Sequence, residues 1–425
     1  MRFLRYGGLD KTTFVSYCSN RYSNDSQRYS SNSGDPMHAA VKHIEDATEE
    51  LKAERGPSNE LGRLTDQAAK ILIDSGGFRL LQAKSHGGYE ADITDFLAWV
   101  RAVARANPSA GWIAGVVGVH PWEIALHVDE VQNEIFGDDP TTLAASPYAP
   151  MGRAIPVEGG YKLTGQWQYS TGTDHCDWVI LGGIVVDESA PRNGPPPVLH
   201  FILPRGDYEI IEDSWHVMGL EGTGSKDIRI DGAFVPEYRT ISHSGLSDGD
   251  YGHRRGDTPL YQLPFGCVFS ASITAATFGI AQANIDAYRD YLTTRVSAMG
   301  VVGTTDPYQQ QALAEAEADL AAGIAHIDAM FNDWIVRVTA GEKIDNGERL
   351  EFRRNQVRAV QRVLDSINTM MSRAGTAAVW TTRELEQLWR DLRTGGTHLS
   401  NSMDLIYNAW ANDEFGTGVE RYTFH

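Results

Sequence analysis

Between about residues 143 and 236 the apolar residues change their spacing, and that change constrains the fold more than any other feature of the chain. On either side they recur every third or fourth position; inside they alternate or run together between Gly, Pro and Asp. Tyr161-Lys-Leu-Thr-Gly-Gln-Trp-Gln-Tyr169 alternates as a half-buried strand does, and Ile228-Arg-Ile230 does so again. Trp178–Val186 and Val198–Leu203 are short continuous apolar runs bounded by turn formers. Strands at this spacing with no helices between them predict an antiparallel sandwich or barrel rather than alternating β-α-β units.

Before this block the pattern is helical. Ala40, Val41, Ile44 and Ala47 share a face, as do Leu61, Leu64, Ala68, Ile71 and Leu72, and then Phe96, Leu97, Val100, Val103 and Ala104. After it, residues 239–262 read as a long loop rich in Gly, Asp and His, of the kind that forms lids and binding loops. Two amphipathic segments follow, Tyr308 to about Ala340 and Glu351 to Arg373, and helices of about 34 and 23 residues would span roughly 50 and 35 Å. Helices that long usually form a bundle. Residues 1–36, rich in Ser, Tyr, Asn and Arg with no apolar period, read as a disordered extension, with Met37 as a plausible start.

Charge and cysteine usage exclude whole classes of function. With 37 basic and 56 acidic residues the net charge is −19, a field that repels nucleic acid and anionic membranes. Cys18, Cys176 and Cys267 are an odd number, far apart, without a CxxC; they suit a reducing compartment and a cytoplasmic location. Gly219-Leu-Glu-Gly-Thr-Gly-Ser-Lys226 imitates a phosphate loop but runs into a strand pattern, whereas a phosphate cradle opens a helix. Asp174-His-Cys-Asp177 imitates a metal site, yet four successive residues cannot all face one ion, and a polar turn is the simpler reading. The chain contains neither a Gly-x-Ser-x-Gly elbow nor a Gly-x-Gly-x-x-Gly after a strand, so an acyl hydrolase and a resident nicotinamide site are both disfavoured.

Three segments keep chemical interest. Trp167-Gln-Tyr-Ser-Thr-Gly-Thr173 ends a strand in hydroxyls that could line a planar heterocycle, or form an ordinary strand-turn. Val116-Val-Gly-Val-His120-Pro-Trp122 places a histidine in an apolar stretch, as a catalyst or as a satisfied core residue. Trp389-Arg-Asp-Leu-Arg-Thr-Gly-Gly-Thr-His398 ends in a histidine after a glycine break that could equally be a helix cap.

Together with Ser146-Pro-Tyr-Ala-Pro-Met-Gly152, Gly172-Thr-Asp-His-Cys-Asp-Trp178 and Trp215-His-Val-Met-Gly-Leu-Glu-Gly-Thr-Gly-Ser225, these segments resemble the acyl-CoA dehydrogenase superfamily. They are most similar to its oxygenase branch, the reduced-flavin-dependent aromatic hydroxylases of two-component monooxygenases, of the p-hydroxyphenylacetate and secosteroid phenol hydroxylase type. The resemblance covers about Met37 to Gly416. It implies a mostly α, α+β fold: an N-terminal helical domain (37–141), a central β-barrel domain (142–238), the mobile loop 239–262 and a C-terminal four-helix bundle (263–425), assembled as a homotetramer.

By position, the resemblance implies that Ser170 hydrogen-bonds flavin N5, with Trp167 and Tyr169 in the same wall. It puts Ser146, Gly222 and Thr223 near the ring or the substrate, and Arg295 at a neighbouring subunit's flavin phosphate. His120 and His398 correspond to the two active-site histidines. The implied reaction is hydroxylation of a phenolic substrate ortho to its hydroxyl, through a C4a-hydroperoxyflavin formed from O2 and reduced FMN or FAD, the flavin being supplied by a separate NAD(P)H-dependent reductase. The dehydrogenases of the superfamily instead use a glutamate base shortly after the Arg-Asp pair; here Arg393-Thr-Gly-Gly-Thr-His398 holds no carboxylate, which argues against acyl-CoA oxidation. A dehydrogenase with its base on another helix, an oxidase of sulfur or nitrogen on the same fold, and a non-catalytic flavin-binding protein are the alternatives.

Overall fold

Helices α1 (Ala39–Asp46), α2 (Thr48–Ala53), α3 (Arg55–Leu61), α4 (Asp66–Asp74), α5 (Ile93–Ala106), α6 (Pro108–Gly118), α7 (His120–Ile124) and α8 (Asp129–Phe136) precede the sheet. The computed structural model describes residues 39–187 and 195–419, so the extension expected over 1–36 and the start at Met37 lie outside the described residues. The single period read across Leu61–Leu72 is split between two helices. Gly62 adopts a left-handed φ of 65° that ends α3, and Thr65 accepts a hydrogen bond from the Ala68 amide to start α4. Leu61 is consequently exposed, while Leu64, Ala68, Ile71 and Leu72 are buried. Helix α6 is enclosed on every side, and so shows no amphipathic period. Asn107 caps it through the Ala110 amide (3.1 Å). A Cβ on Gly111 would lie 2.1 Å from the Ala104 Cα, so glycine lets α6 pack directly on α5.

The central domain is a sheet of β1 (Ala144–Ala145), β2 (Gly152–Val157), β3 (Gly160–Ser170), β4 (Trp178–Val185), β5 (Val198–Pro204), β6 (Glu209–Ile211), β7 (Lys226–Pro236) and β8 (Thr240–Ser242). Its hydrogen-bonded order is β6-β7-β3-β2-β4-β5-β8, with β1 beside β4. The pairings of β4 with β1 and with β2 are parallel, so the sheet is mixed where the pattern predicted antiparallel. Direction of pairing is set by the connections, not by the alternation that marks a strand. Leu163, Trp167, Val179–Leu181 and Phe201–Leu203 form its interior.

The loop expected over 239–262 is folded. It contains β8, which pairs with β5, helix α9 (His243–Asp248) and two 3₁₀ turns, Gly252–Arg255 and Pro259–Gln262. Ile241, Leu246, Leu260 and Tyr261 anchor it in the core, and Ser242 caps α9. These apolar anchors are too sparse among Gly and Asp to show a period.

The C-terminal part consists of α10 (Phe265–Thr294), α11 (Pro307–Thr339), α12 (Asn346–Ala374), α13 (Glu384–Gly396) and α14 (Met403–Glu414). Helix α10 is long and apolar enough to cross a membrane, but 94% of its most apolar window is buried inside the protein. It packs on α5 and α6 of the N-terminal part and on α11, α12 and α13. Asp345 and Glu348 form a capping box at the start of α12.

Candidate active site

His120 opens α7 and is fully buried. Its Nδ1 lies 2.5 Å from the Ala144 carbonyl, which can only accept, so Nδ1 carries the proton. Nε2 then holds a lone pair, and the Ser146 hydroxyl donates to it at 2.6 Å. The parallel pairing of β1 with β4 fixes Ala144, and Ser146 is the first residue after β1. Burial lowers the His120 pKa to about 4 and keeps the ring neutral at pH 7. Tyr148 stands edge-on to His120 (5.7 Å between ring centres) and meets Phe269 of α10 at 5.3 Å.

His398 follows the end of α13. Its Nδ1 accepts from the Ser400 amide at 3.1 Å, which leaves Nε2 as the protonated nitrogen. The ring meets Trp112 of α6 at 5.6 Å and Phe269 at 6.3 Å. Burial and the nearby Arg353 guanidinium lower its pKa to about 4. Arg353 is itself fully buried; it donates to the Ser270 hydroxyl and to the Ser400 carbonyl (3.0 Å) and pairs with no carboxylate among the described residues. The two histidines thus stand at the ends of one aromatic wall, His120–Tyr148–Phe269–His398, built from three distant parts of the chain.

Strand β3 ends in an irregularity. Its register with β7 shifts between Trp167 and Ser170, and Tyr169 takes a left-handed φ of 64°. The turn leaves Ser170 fully buried with its hydroxyl unpartnered, and the Thr173 hydroxyl shares that condition. Tyr169 is 67% exposed, its ring edge-on to Trp215 at 6.2 Å, beside residues of an open cleft of ≈ 620 Å³ lined by Asn59, Trp215, Met218 and Glu221. Trp167 departs from expectation: it faces the sheet interior, fully enclosed, with its indole N–H on the Gly182 carbonyl at 2.8 Å. Regular alternation would put Trp167 and Tyr169 on one face; the register shift and the left-handed Tyr169 turn that ring outward instead, so the two do not share a wall. The Asp174–Asp177 segment begins in a 3₁₀ turn, Thr173–His175, and continues extended; Asp174 pairs with Lys226 at 2.6 Å.

The Gly219–Gly224 loop lies beside this strand end: Gly172 donates to the Thr223 carbonyl at 3.1 Å, and one hydrogen-bonded set joins Thr171, Ser225 and Thr223. A Cβ on Gly222 would crowd Asn59, Ser58 and Ser109 at 3.0–3.1 Å. Asp391 of α13 holds the loop by accepting from the Leu220 amide at 2.7 Å, where Leu220 has a φ of 60°. Arg295 stands apart from all of this. It follows the end of α10, roughly 39 Å along the helix from Phe269, and its Nη1 donates to the Tyr291 hydroxyl at 2.7 Å.

Trp112, Tyr148, Phe269 and Asp391 were not singled out by the sequence as site residues. Trp112 and Phe269 sit in uniformly apolar runs that carry no local signal. Tyr148 and Asp391 fall inside segments that carried the family resemblance, which was the available cue.

Residues 271–403 match the family model described as acyl-CoA dehydrogenase, C-terminal domain. The chain is 40% identical over 381 residues to a pigment production hydroxylase of Rhodococcus erythropolis, a match covering 88% of this chain and 96% of that protein. It is 35% identical over 372 residues to HsaA of Rhodococcus jostii, the oxygenase subunit of a flavin-dependent monooxygenase, covering 87% and 96%. The crystal structure of 3-HSA hydroxylase from a Rhodococcus species superposes with a TM-score of 0.85 at 33% identity, over 90% of this chain and 98% of that one.

Proposed function

The chain belongs to the oxygenase subunits of two-component flavin-dependent monooxygenases, within the acyl-CoA dehydrogenase superfamily, and we propose that it hydroxylates a phenolic ring ortho to its hydroxyl. Relatives named as p-hydroxyphenylacetate and resorcinol hydroxylase oxygenase components support the phenolic class. The observation that carries the reading is the aromatic wall with a neutral histidine at each end and the Ser146 hydroxyl on one of them.

Reduced FMN or FAD, brought by a separate reductase, would activate O2 and supply the oxygen atom. The residues present fit such a ring. The orphaned Ser170 hydroxyl offers a hydrogen bond to a ring nitrogen, and the close-packed Gly222 and Thr223 supply backbone beside it. A free phenol has a pKa near 10, so ionising it at pH 7 costs about 4 kcal/mol. Ser146 and His120 lower that cost by binding the phenol oxygen and taking its proton at Nε2. His398, whose Nε2 carries the proton, is the hydrogen-bond donor at the other end of the wall. Phe269, Trp112 and Tyr148 hold the ring and exclude water. Arg295 serves a partner subunit's flavin in a homotetramer, in keeping with its distance from this chain's own wall, and the enzyme acts in the cytoplasm.

The test is to mix the protein with reduced flavin, O2 and a panel of phenols and to measure catechol. Ser170→Ala should divert oxygen from catechol to hydrogen peroxide. An unchanged product-to-peroxide ratio would remove Ser170 from the site, and the absence of catechol from every phenol would overturn the reading.

A further inference from the structure

Behind His120 lies a second set of polar side chains that the reaction outlined above leaves unused. Glu123, one turn further along α7, is fully buried, and its Oε1 lies 2.7 Å from His200 Nδ1 on β5. His200 Nε2 lies 3.1 Å from His243 Nδ1, at the start of α9, where the half-buried ring reaches the edge of the protein. The other carboxylate oxygen, Oε2, has no hydrogen-bond partner. A buried carboxylate left half-satisfied is costly, and a native protein rarely keeps one without use. Tyr148 closes the gap to the active site. Its ring stacks on His200 at 4.7 Å, and its buried hydroxyl sits between Ser146 and Glu123 without hydrogen-bonding geometry to either.

We propose that Tyr148, Glu123, His200 and His243 form a proton line that carries the phenol proton from the Ser146–His120 pair to the surface. The inference rests on the phenol-hydroxylase reading above. The step changes only O–H and N–H bonds. The phenol oxygen keeps the electron pair as its proton passes to Ser146 and His120; one proton moves along the line, and one leaves His243 to water. A small turn of the Tyr148 hydroxyl connects Ser146 to Oε2.

His120 alone is a poor resting place for the proton. Burial holds its pKa near 4, far below that of a phenol, and His243 is depressed likewise by burial and by His200. Acceptors of this kind pass a proton on and do not keep it. The charged and titratable groups facing Glu123 are His200 on β5, His127 beyond α7, Tyr148, and His120 on its own helix, with Arg254 and His243 next to those histidines. Both nitrogens of His127 are unpartnered and burial holds its pKa near 4, so it is neutral and does not extend the line.

The experiment follows proton release with an indicator dye in weakly buffered solution as a phenol binds the full-length protein. Wild type should release a proton at the rate of binding. His243→Ala should slow release about tenfold or more, leave phenol affinity unchanged, and recover when imidazole is added as a mobile acceptor. Glu123→Gln should be slow with or without imidazole; should that variant not fold, the imidazole response of His243→Ala decides alone. Wild-type release rates in His243→Ala, or slow release that imidazole does not restore, would overturn the line. Failure of wild type to bind or hydroxylate any phenol would instead overturn the functional reading on which it rests.

Discussion

Asp391 provides a test of the site's electrostatics that requires no substrate. Its carboxyl, projecting from α13, is buried and accepts from the Leu220 amide and, at 3.1 Å, from Gln387. Burial raises its pKa from 3.8 to about 7, with the Glu221 charge adding to the rise and the two hydrogen bonds opposing it. Between those values the unfolded chain has lost a proton that the folded chain retains. Stability contributed by this group is therefore complete below about pH 4 and is lost as pH rises through 7. A shift of about three units corresponds to roughly 4 kcal/mol. Asp391→Asn keeps an acceptor for the Leu220 amide and removes the titration. Urea unfolding of both proteins across pH 4 to 8 should show the variant gaining on wild type as pH rises, by up to about 4 kcal/mol. A difference that stays flat with pH would mean that burial does not raise this pKa, and a variant weaker than wild type at pH 8 that the ionised carboxylate itself holds the loop; either would refute the assignment.

Ser146→Ala removes the donor to His120 Nε2 and should lower kcat/KM at neutral pH by about 100-fold, with the deficit shrinking as pH approaches the phenol's own pKa; a pH profile of hydroxylation measures both. Trp167→Phe deletes the indole bond to the Gly182 carbonyl and should destabilise the protein by about 1–3 kcal/mol without weakening flavin binding. Denaturant melts and a flavin titration check this, and a large loss of flavin affinity would return Trp167 to the cofactor wall.

Helical period was legible where a helix has one wet face and one dry. The segment read as 308–340 is α11, Pro307–Thr339. Helix α12 begins at Asn346, ahead of the expected Glu351, because its first turn is specified by the Asp345–Glu348 capping box and not by apolar residues. Helix α6 has no wet face, so its sequence announces burial and nothing more, and Trp112 is hidden there. The candidate site shows the same division. His120 and His398 stand out in their segments and Ser146 through the resemblance, and the fold brings the three together through Tyr148 and Phe269. What could not be read was Glu123: a glutamate in a helical segment signals a solvated face, and only the tertiary arrangement of α7 against β5 buries it. Trp167 departs for a local reason: the pleat would keep it on one face with Tyr169, and the irregular end of β3, which no sequence period shows, separates them.

The two histidines differ less in pKa than in the charges behind them. Burial sets both near 4. The Glu123 carboxylate lies behind His120 and favours a proton there; the Arg353 guanidinium lies behind His398 and disfavours one. Arg353 remains protonated at neutral pH even though burial lowers its pKa to about 10. On the proposed reading, the His120 end is therefore the better acceptor for a phenol proton, while His398 stays a neutral N–H donor. The proposed reaction needs that asymmetry, since the proton must be accepted at one end of the wall while a neutral donor is kept at the other. Two histidines backed by charges of the same sign could not divide the work in this way.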